Sequence, residues 1–127
     1  MGKLFRLAAY IYTLLIAVVC LMPMRHVSNV PKDSDKLVHL LAYLFFTVIW
    51  FLGFYLSNKK QIYSRSLIKS VVLGVFYGIL IEVIQGVATV SRSADFKDFI
   101  ANCIGVLTGV ILIISMKSLF LRLKSKF

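Results

Sequence analysis

Residues 70–90 read Ser70-Val-Val-Leu-Gly74-Val-Phe-Tyr-Gly78-Ile-Leu-Ile-Glu82-Val-Ile-Gln85-Gly-Val-Ala-Thr-Val90, an apolar run interrupted by one carboxylate. At about 1.5 Å of rise per residue, a helix of this length crosses roughly 30 Å of hydrocarbon. Three further blocks have the same character: Leu7 to Met24, Leu37 to Ser57 and Phe99 to Met116. With 60% hydrophobic residues and a mean hydropathy of +0.89, the chain lacks the polar residues that a water-soluble surface needs. The predicted architecture is all-α: an integral membrane four-helix bundle, read as one domain over residues 1–127. The sequence shows no low-complexity tract and no linker that would mark a second domain.

The first block follows Lys3 and Arg6 and so resembles a signal peptide, but Leu21-Met22-Pro23-Met24 offers no small-residue cleavage site. It is therefore read as a span. Cys20 is preceded by bulky Val18 and Val19, which do not make a lipobox. Cys20 and Cys103 both fall inside apolar blocks, where buried free thiols are expected rather than a disulfide or a metal pair.

A net charge of +10 raises the question of nucleic acid, and the distribution of the charge answers it. Lys3, Arg6, Lys59, Lys60, Arg65, Lys69, Lys117, Arg122, Lys124 and Lys126 lie on one side of the spans, ten basic residues with no acidic one. Arg25, Lys32, Lys36, Arg92 and Lys97 lie on the other, balanced by Asp33, Asp35, Asp95 and Asp98. Orientation follows the basic residues, so both termini and the Ser57 to Lys69 loop are expected in the cytoplasm. Attraction to anionic headgroups accounts for such basic ends without any nucleic acid. Trp50, Phe51, Phe54 and Tyr55 lie near the cytoplasmic end of the second span, where aromatic rings favour the interface. Outer loops are expected at Ser28 to Asp35 and at Ser91 to Lys97.

An ionisable side chain inside a span costs several kcal/mol unless it faces protein or water, so each one is a functional candidate. Glu82 lies eight residues before Val90, roughly 12 Å below the outer end of its span. Gln85 shares its face at i, i+3. Ser70, Gly74, Gly78 and Glu82 recur every four residues, a small-residue stripe that predicts close helix packing and turns Glu82 into the bundle. On the fourth span Asp98, Asn102, Gly105 and Gly109 follow a similar rule, with Asp95 one turn above. At the start of the second, Asp35, Lys36, His39 and Tyr43 share one face. Three helices thus carry polar groups to one level, and the predicted object is an outward-facing polar pocket. The members also have plain readings: His39 as an interfacial or hydrogen-bonded histidine, Asp35 or Asp98 as a helix N-cap, Asn102 and Gln85 as interhelical hydrogen-bond partners, Arg92 and Lys97 as contacts to lipid phosphate, and Glu82 as the buried partner of Arg92 or Lys36 or as a carboxyl kept neutral by burial.

The segments Asp35-Lys36-Leu-Val-His39-Leu-Leu-Ala-Tyr43, Gly78-Ile-Leu-Ile-Glu82-Val-Ile-Gln85 and Arg92-Ser-Ala-Asp95-Phe-Lys-Asp98-Phe-Ile-Ala-Asn102-Cys-Ile-Gly105 resemble the VanZ-like family. That family shows D-K-x-x-H, E-x-x-Q and R…D-x-x-x-N-x-x-G motifs in this order, and the resemblance covers nearly the whole chain. It implies a multi-pass protein of the bacterial cytoplasmic membrane with a cell-envelope role. The family's namesake is associated with low-level teicoplanin resistance, and the resemblance leaves the reaction open. Ser91 stands where the family commonly has glycine, so the turn before Arg92 is expected to differ.

Three functions compete. In the first, the pocket binds or processes a lipid headgroup, a lipid-linked envelope precursor or a glycopeptide. Lys36 and Arg92 would hold phosphate or carboxylate; Asp35, Tyr43, Gln85, Asp95 and Asn102 would line the substrate site; and Glu82, His39 and Asp98 are the acid–base candidates. A divalent ion held by Asp95, Asp98, Glu82 and His39 is one option within this reading. Such ligands suit Mg²⁺ or Mn²⁺ about as well as Zn²⁺, so no metal set is assigned and catalysis is left open. In the second, the polar network is a non-catalytic scaffold. In the third, the chain is a small proton-coupled transporter. The cytoplasmic halves of the spans lack ionisable groups, so a transport path would need a homo-oligomer to complete it.

Overall fold

The computed structural model describes residues 1–22, 34–88 and 95–126. Helix α1 spans Gly2–Leu21, α2 Ser34–Tyr55, α3 Tyr63–Ala88, α4 Phe96–Ser115 and α5 Lys117–Ser125. The first four are each long and apolar enough to cross a membrane, as the four blocks predict. The chain is a multi-pass membrane protein. Pro23 and Pro31, which would interrupt a helix ladder, both fall between α1 and α2 and outside the described residues. Arg25, Lys32 and Asp33 also lie outside them, as do Ser91 and Arg92 and with them the predicted pocket arginine.

The helices begin earlier than hydropathy predicts. Helix α1 starts at Gly2 rather than near Leu7, and α3 at Tyr63 rather than Ser70, so the expected Ser57 to Lys69 loop shortens to a turn around residues 56–62. Hydropathy marks the hydrocarbon segment, whereas the hydrogen-bonded ladder continues through the basic residues beyond it.

Helix α2 packs against α1, α3 and α4, and α3 also touches α1 and α4, while α1 and α4 do not meet among the described residues. The cross-section is a rhombus with α2 and α3 on its short diagonal. Glycine makes the α2/α4 contact close. A Cβ built at Gly105 would stand 2.3 Å from the Leu40 carbonyl oxygen, and one at Gly109 would stand 3.1 Å from that of Leu44. The Ser70, Gly74, Gly78 and Glu82 stripe is buried, as its spacing predicts. Leu7, Ile11, Leu14, Val72, Phe76, Leu107 and Ile111 are exposed on the outside of the bundle, the surface that lipid would cover.

The aromatic residues of α2 differ from the expectation. Trp50, Phe51 and Tyr55 are buried rather than turned to the interface. Trp50 Nε1 donates to Thr13 Oγ1 at 3.0 Å, and the Phe51 ring packs against Tyr55, Tyr63 and Phe120. Burying these rings between helices gains ring–ring contact that lipid chains would not supply. Hydropathy does not predict α5, which is short and basic. Its Phe120 is buried in the same cluster as Ile113 of α4. A straight continuation would place those residues roughly 10 Å apart along the axis, so the chain turns at Met116 to bring both to Phe51. Lys124 covers the Tyr55 ring at 4.1 Å and donates to the Gln61 carbonyl, and burial there holds its ammonium below the usual lysine range.

Candidate functional site

The first turns of α2 carry Asp35, Lys36, His39 and Tyr43 down one face, and that face meets α4 because Gly105 lets the two backbones approach. His39 is 1% exposed, and its Nδ1 lies 3.0 Å from Asn102 Oδ1. With the amide oxygen on this side, Nδ1 is the nitrogen that donates. His39 Nε2 then points toward Asp35, whose Oδ1 is 3.9 Å away. Asp98, one turn before Asn102 on α4, completes a group in which one ligand atom each from Asp35, His39 and Asp98 lies within 4.8 Å of the others.

Glu82 approaches from α3. Its Oε2 accepts from the Asp95 backbone N–H at 3.4 Å, and its carboxylate interacts electrostatically with Asp98, His39 and Asp95. Asp95 caps α4, its Oδ1 accepting from the Lys97 N–H at 2.9 Å. Gly78 lies where the three helices meet, so that a Cβ there would contact Tyr43 Cε1 at 3.4 Å and Asn102 Nδ2 at 3.5 Å. The missing side chain leaves the space into which Tyr43 and Asn102 fit.

Four buried side-chain atoms have no hydrogen-bond partner among the described residues: Tyr43 Oη, Glu82 Oε1, Asp98 Oδ1 and Asn102 Nδ2. All belong to this one polar layer. An unsatisfied buried polar atom costs about 1–3 kcal/mol, and folded proteins keep few of them. Two lateral grooves open beside the layer. One, of about 390 Å³ between α2 and α4, has Lys36 and Lys97 among its lining residues and is otherwise aliphatic, with Leu37, Leu40, Ile100 and Ile104. The other, of about 370 Å³ between α3 and α4, is lined by Glu82, Asp95, Phe96 and Phe99 with Ile79 and Val83.

The predicted residues therefore separate. Asp35, His39, Asp98 and Asn102 come together, Glu82 and Tyr43 lie beside them, and Lys36 stands at the groove. Asp95 serves as the cap of α4 and the backbone partner of Glu82. Gln85 turns away, its Nε2 donating to the Cys20 carbonyl of α1 at 2.6 Å, which matches the interhelical alternative. Arg92 lies outside the described residues. Among the described residues, the group close enough to hold an ion is Asp35, His39 and Asp98 rather than the expected Asp95, Asp98, Glu82 and His39, because Glu82 accepts from the Asp95 backbone N–H instead. Spacing cannot show this, since it is set by the rotation of α4 against α2. Lys97 was readable only as a lipid contact, and its pairing with Lys36 across the α2/α4 groove depends on the packing.

No curated protein and no solved structure matches the chain. A family profile described as VanZ/LLP1 matches residues 9–120, which takes in nearly all of the four long helices and every residue of the polar layer. A match of that extent, carrying the three motifs in order, places this chain in the VanZ/LLP1 family.

Proposed function

We propose that the polar layer of α2, α3 and α4 is an outward-facing site that binds the anionic headgroup of an envelope lipid or lipid-linked precursor in the bacterial cytoplasmic membrane, with both termini cytoplasmic. The observation that carries this reading is the set of unpartnered atoms on Tyr43, Glu82, Asp98 and Asn102. They offer donors and acceptors that no described residue uses. The α2/α4 groove supports a lipid in particular. Its two lysines suit a phosphate and its aliphatic wall suits a chain lying in the bilayer. Glu82, His39 and Asp98 are the groups able to move a proton at a bound headgroup, and Arg92 is a further anion ligand. Glycopeptide susceptibility, as in the family's namesake, is the phenotype such a site would affect.

Glu82→Gln, His39→Ala and Arg92→Ala test the reading in cells whose teicoplanin susceptibility depends on this chain. The expected result is loss of the phenotype with the protein still at wild-type level in the membrane. Parallel loss of protein and phenotype would instead favour the scaffold, which the His39–Asn102 and Gln85–Cys20 hydrogen bonds already serve.

A further inference from the structure

We infer that Asp35, His39 and Asp98 form a binding site for one divalent transition-metal ion, Zn²⁺ or Mn²⁺, at the outer rim of the polar layer. The ligand atoms already face one another within 4.8 Å, with 3.9 Å between His39 Nε2 and Asp35 Oδ1. Ligands about 2.0–2.2 Å from a tetrahedral ion stand roughly 3.4 Å apart, so side-chain movements of about 0.5 Å for the closest pair and up to about 1.4 Å for the widest close the site.

Three independent features point to a cation. Asp98 is 8% exposed, and its Oδ1 has no hydrogen-bond partner among the described residues, although it lies in a group of acceptors. His39 is placed as a metal ligand is: its Nδ1 lies 3.0 Å from the Asn102 amide oxygen, which leaves Nε2 on the side of Asp35, 3.9 Å from its Oδ1. Asp35 is about one-third exposed, which leaves an entry path and open coordination positions toward the bilayer surface. The imidazole nitrogen disfavours Mg²⁺ and Ca²⁺, which prefer oxygen throughout.

This inference goes beyond headgroup binding and is tested without lipid. Tag-free protein in detergent, stripped with a chelator, is titrated with Zn²⁺, Mn²⁺ and Mg²⁺ by calorimetry, and its bound metal is counted by elemental analysis. The prediction is one Zn²⁺ or Mn²⁺ per chain and at least about 100-fold weaker Mg²⁺. His39→Gln and Asp98→Asn should each remove stoichiometric binding while elution and helix content stay unchanged. Asn102→Ala, which removes only the positioning partner, should weaken binding about 10–100-fold and shift the visible bands of the Co²⁺ form. His26→Ala, at the chain's second histidine and outside the described residues, should leave the count at one. Absence of stoichiometric metal on the wild-type chain overturns the inference whatever the variants do, as does binding that persists in both His39→Gln and Asp98→Asn. A metal result in either direction leaves lipid capture to be judged separately.

Discussion

Adding one methyl group at Gly105 should loosen both the bundle and the site. The Cβ of Gly105→Ala would stand 2.3 Å from the Leu40 carbonyl oxygen, and raising that distance to the 3.0 Å floor of real contacts parts α2 and α4 by about 0.7 Å, because the obstacle is backbone. Overpacking of this kind costs about 1–3 kcal/mol, and the gain in helix propensity from glycine to alanine returns at most about 1 kcal/mol. A net loss of about 1–2 kcal/mol is expected. The His39–Asn102 hydrogen bond crosses the same interface one turn away, and the same movement would stretch it from 3.0 Å to about 3.7 Å, beyond hydrogen-bond range. The assay is reversible unfolding of the reconstituted protein in mixed micelles, with Gly53→Ala as the comparison. There a Cβ meets the flexible Arg6 side chain at 3.4 Å and should cost little. Equal stability of Gly105→Ala and Gly53→Ala would refute the close α2/α4 approach.

Tyr43→Phe deletes a hydroxyl that has no partner among the described residues, so thermal stability should hold or rise by up to about 1 kcal/mol while teicoplanin phenotype and lipid capture fall; a clear loss of stability would show that the hydroxyl is a structural group. Gln85→Leu removes the hydrogen bond to the Cys20 carbonyl, a loss of about 0.6 kcal/mol in unfolding titrations, with lipid capture unchanged. Cysteines placed at Lys59 and Lys97 in a chain without Cys20 and Cys103 should react with a membrane-impermeant thiol reagent at position 97 in intact cells and at position 59 only after lysis; the reverse pattern would invert the proposed topology.

What the sequence showed and what it hid have separate physical causes. The spans were legible because crossing hydrocarbon demands a run of apolar residues, and Glu82 stood out because a carboxylate inside such a run is expensive. The Ser70, Gly74, Gly78, Glu82 stripe fixed which face of α3 turns inward. The partner of Gln85 was not legible, since it is a backbone carbonyl of α1 that no residue type announces. Trp50, Phe51 and Tyr55 read as interfacial from their position in the chain, but burial depends on the neighbours Thr13, Tyr63 and Phe120. Asp35 joined His39 and Asp98 because Gly105 sets how close α4 comes, a matter of helix rotation rather than of spacing. Helix α5 has too few residues and too many charges for hydropathy to mark it, and its ties to the bundle, Phe120 in the aromatic cluster and Lys124 over Tyr55, depend on packing that no span pattern shows.

The most direct test of the polar layer as a headgroup site is native mass spectrometry of the protein released from nanodiscs that contain a phosphate-headed anionic lipid. The wild-type chain should retain one such lipid per protomer, and a Lys36→Gln, Lys97→Gln, Glu82→Gln triple variant of unchanged helix content should lose it. Equal retention by the two proteins, or no retention by the wild type, would contradict the account.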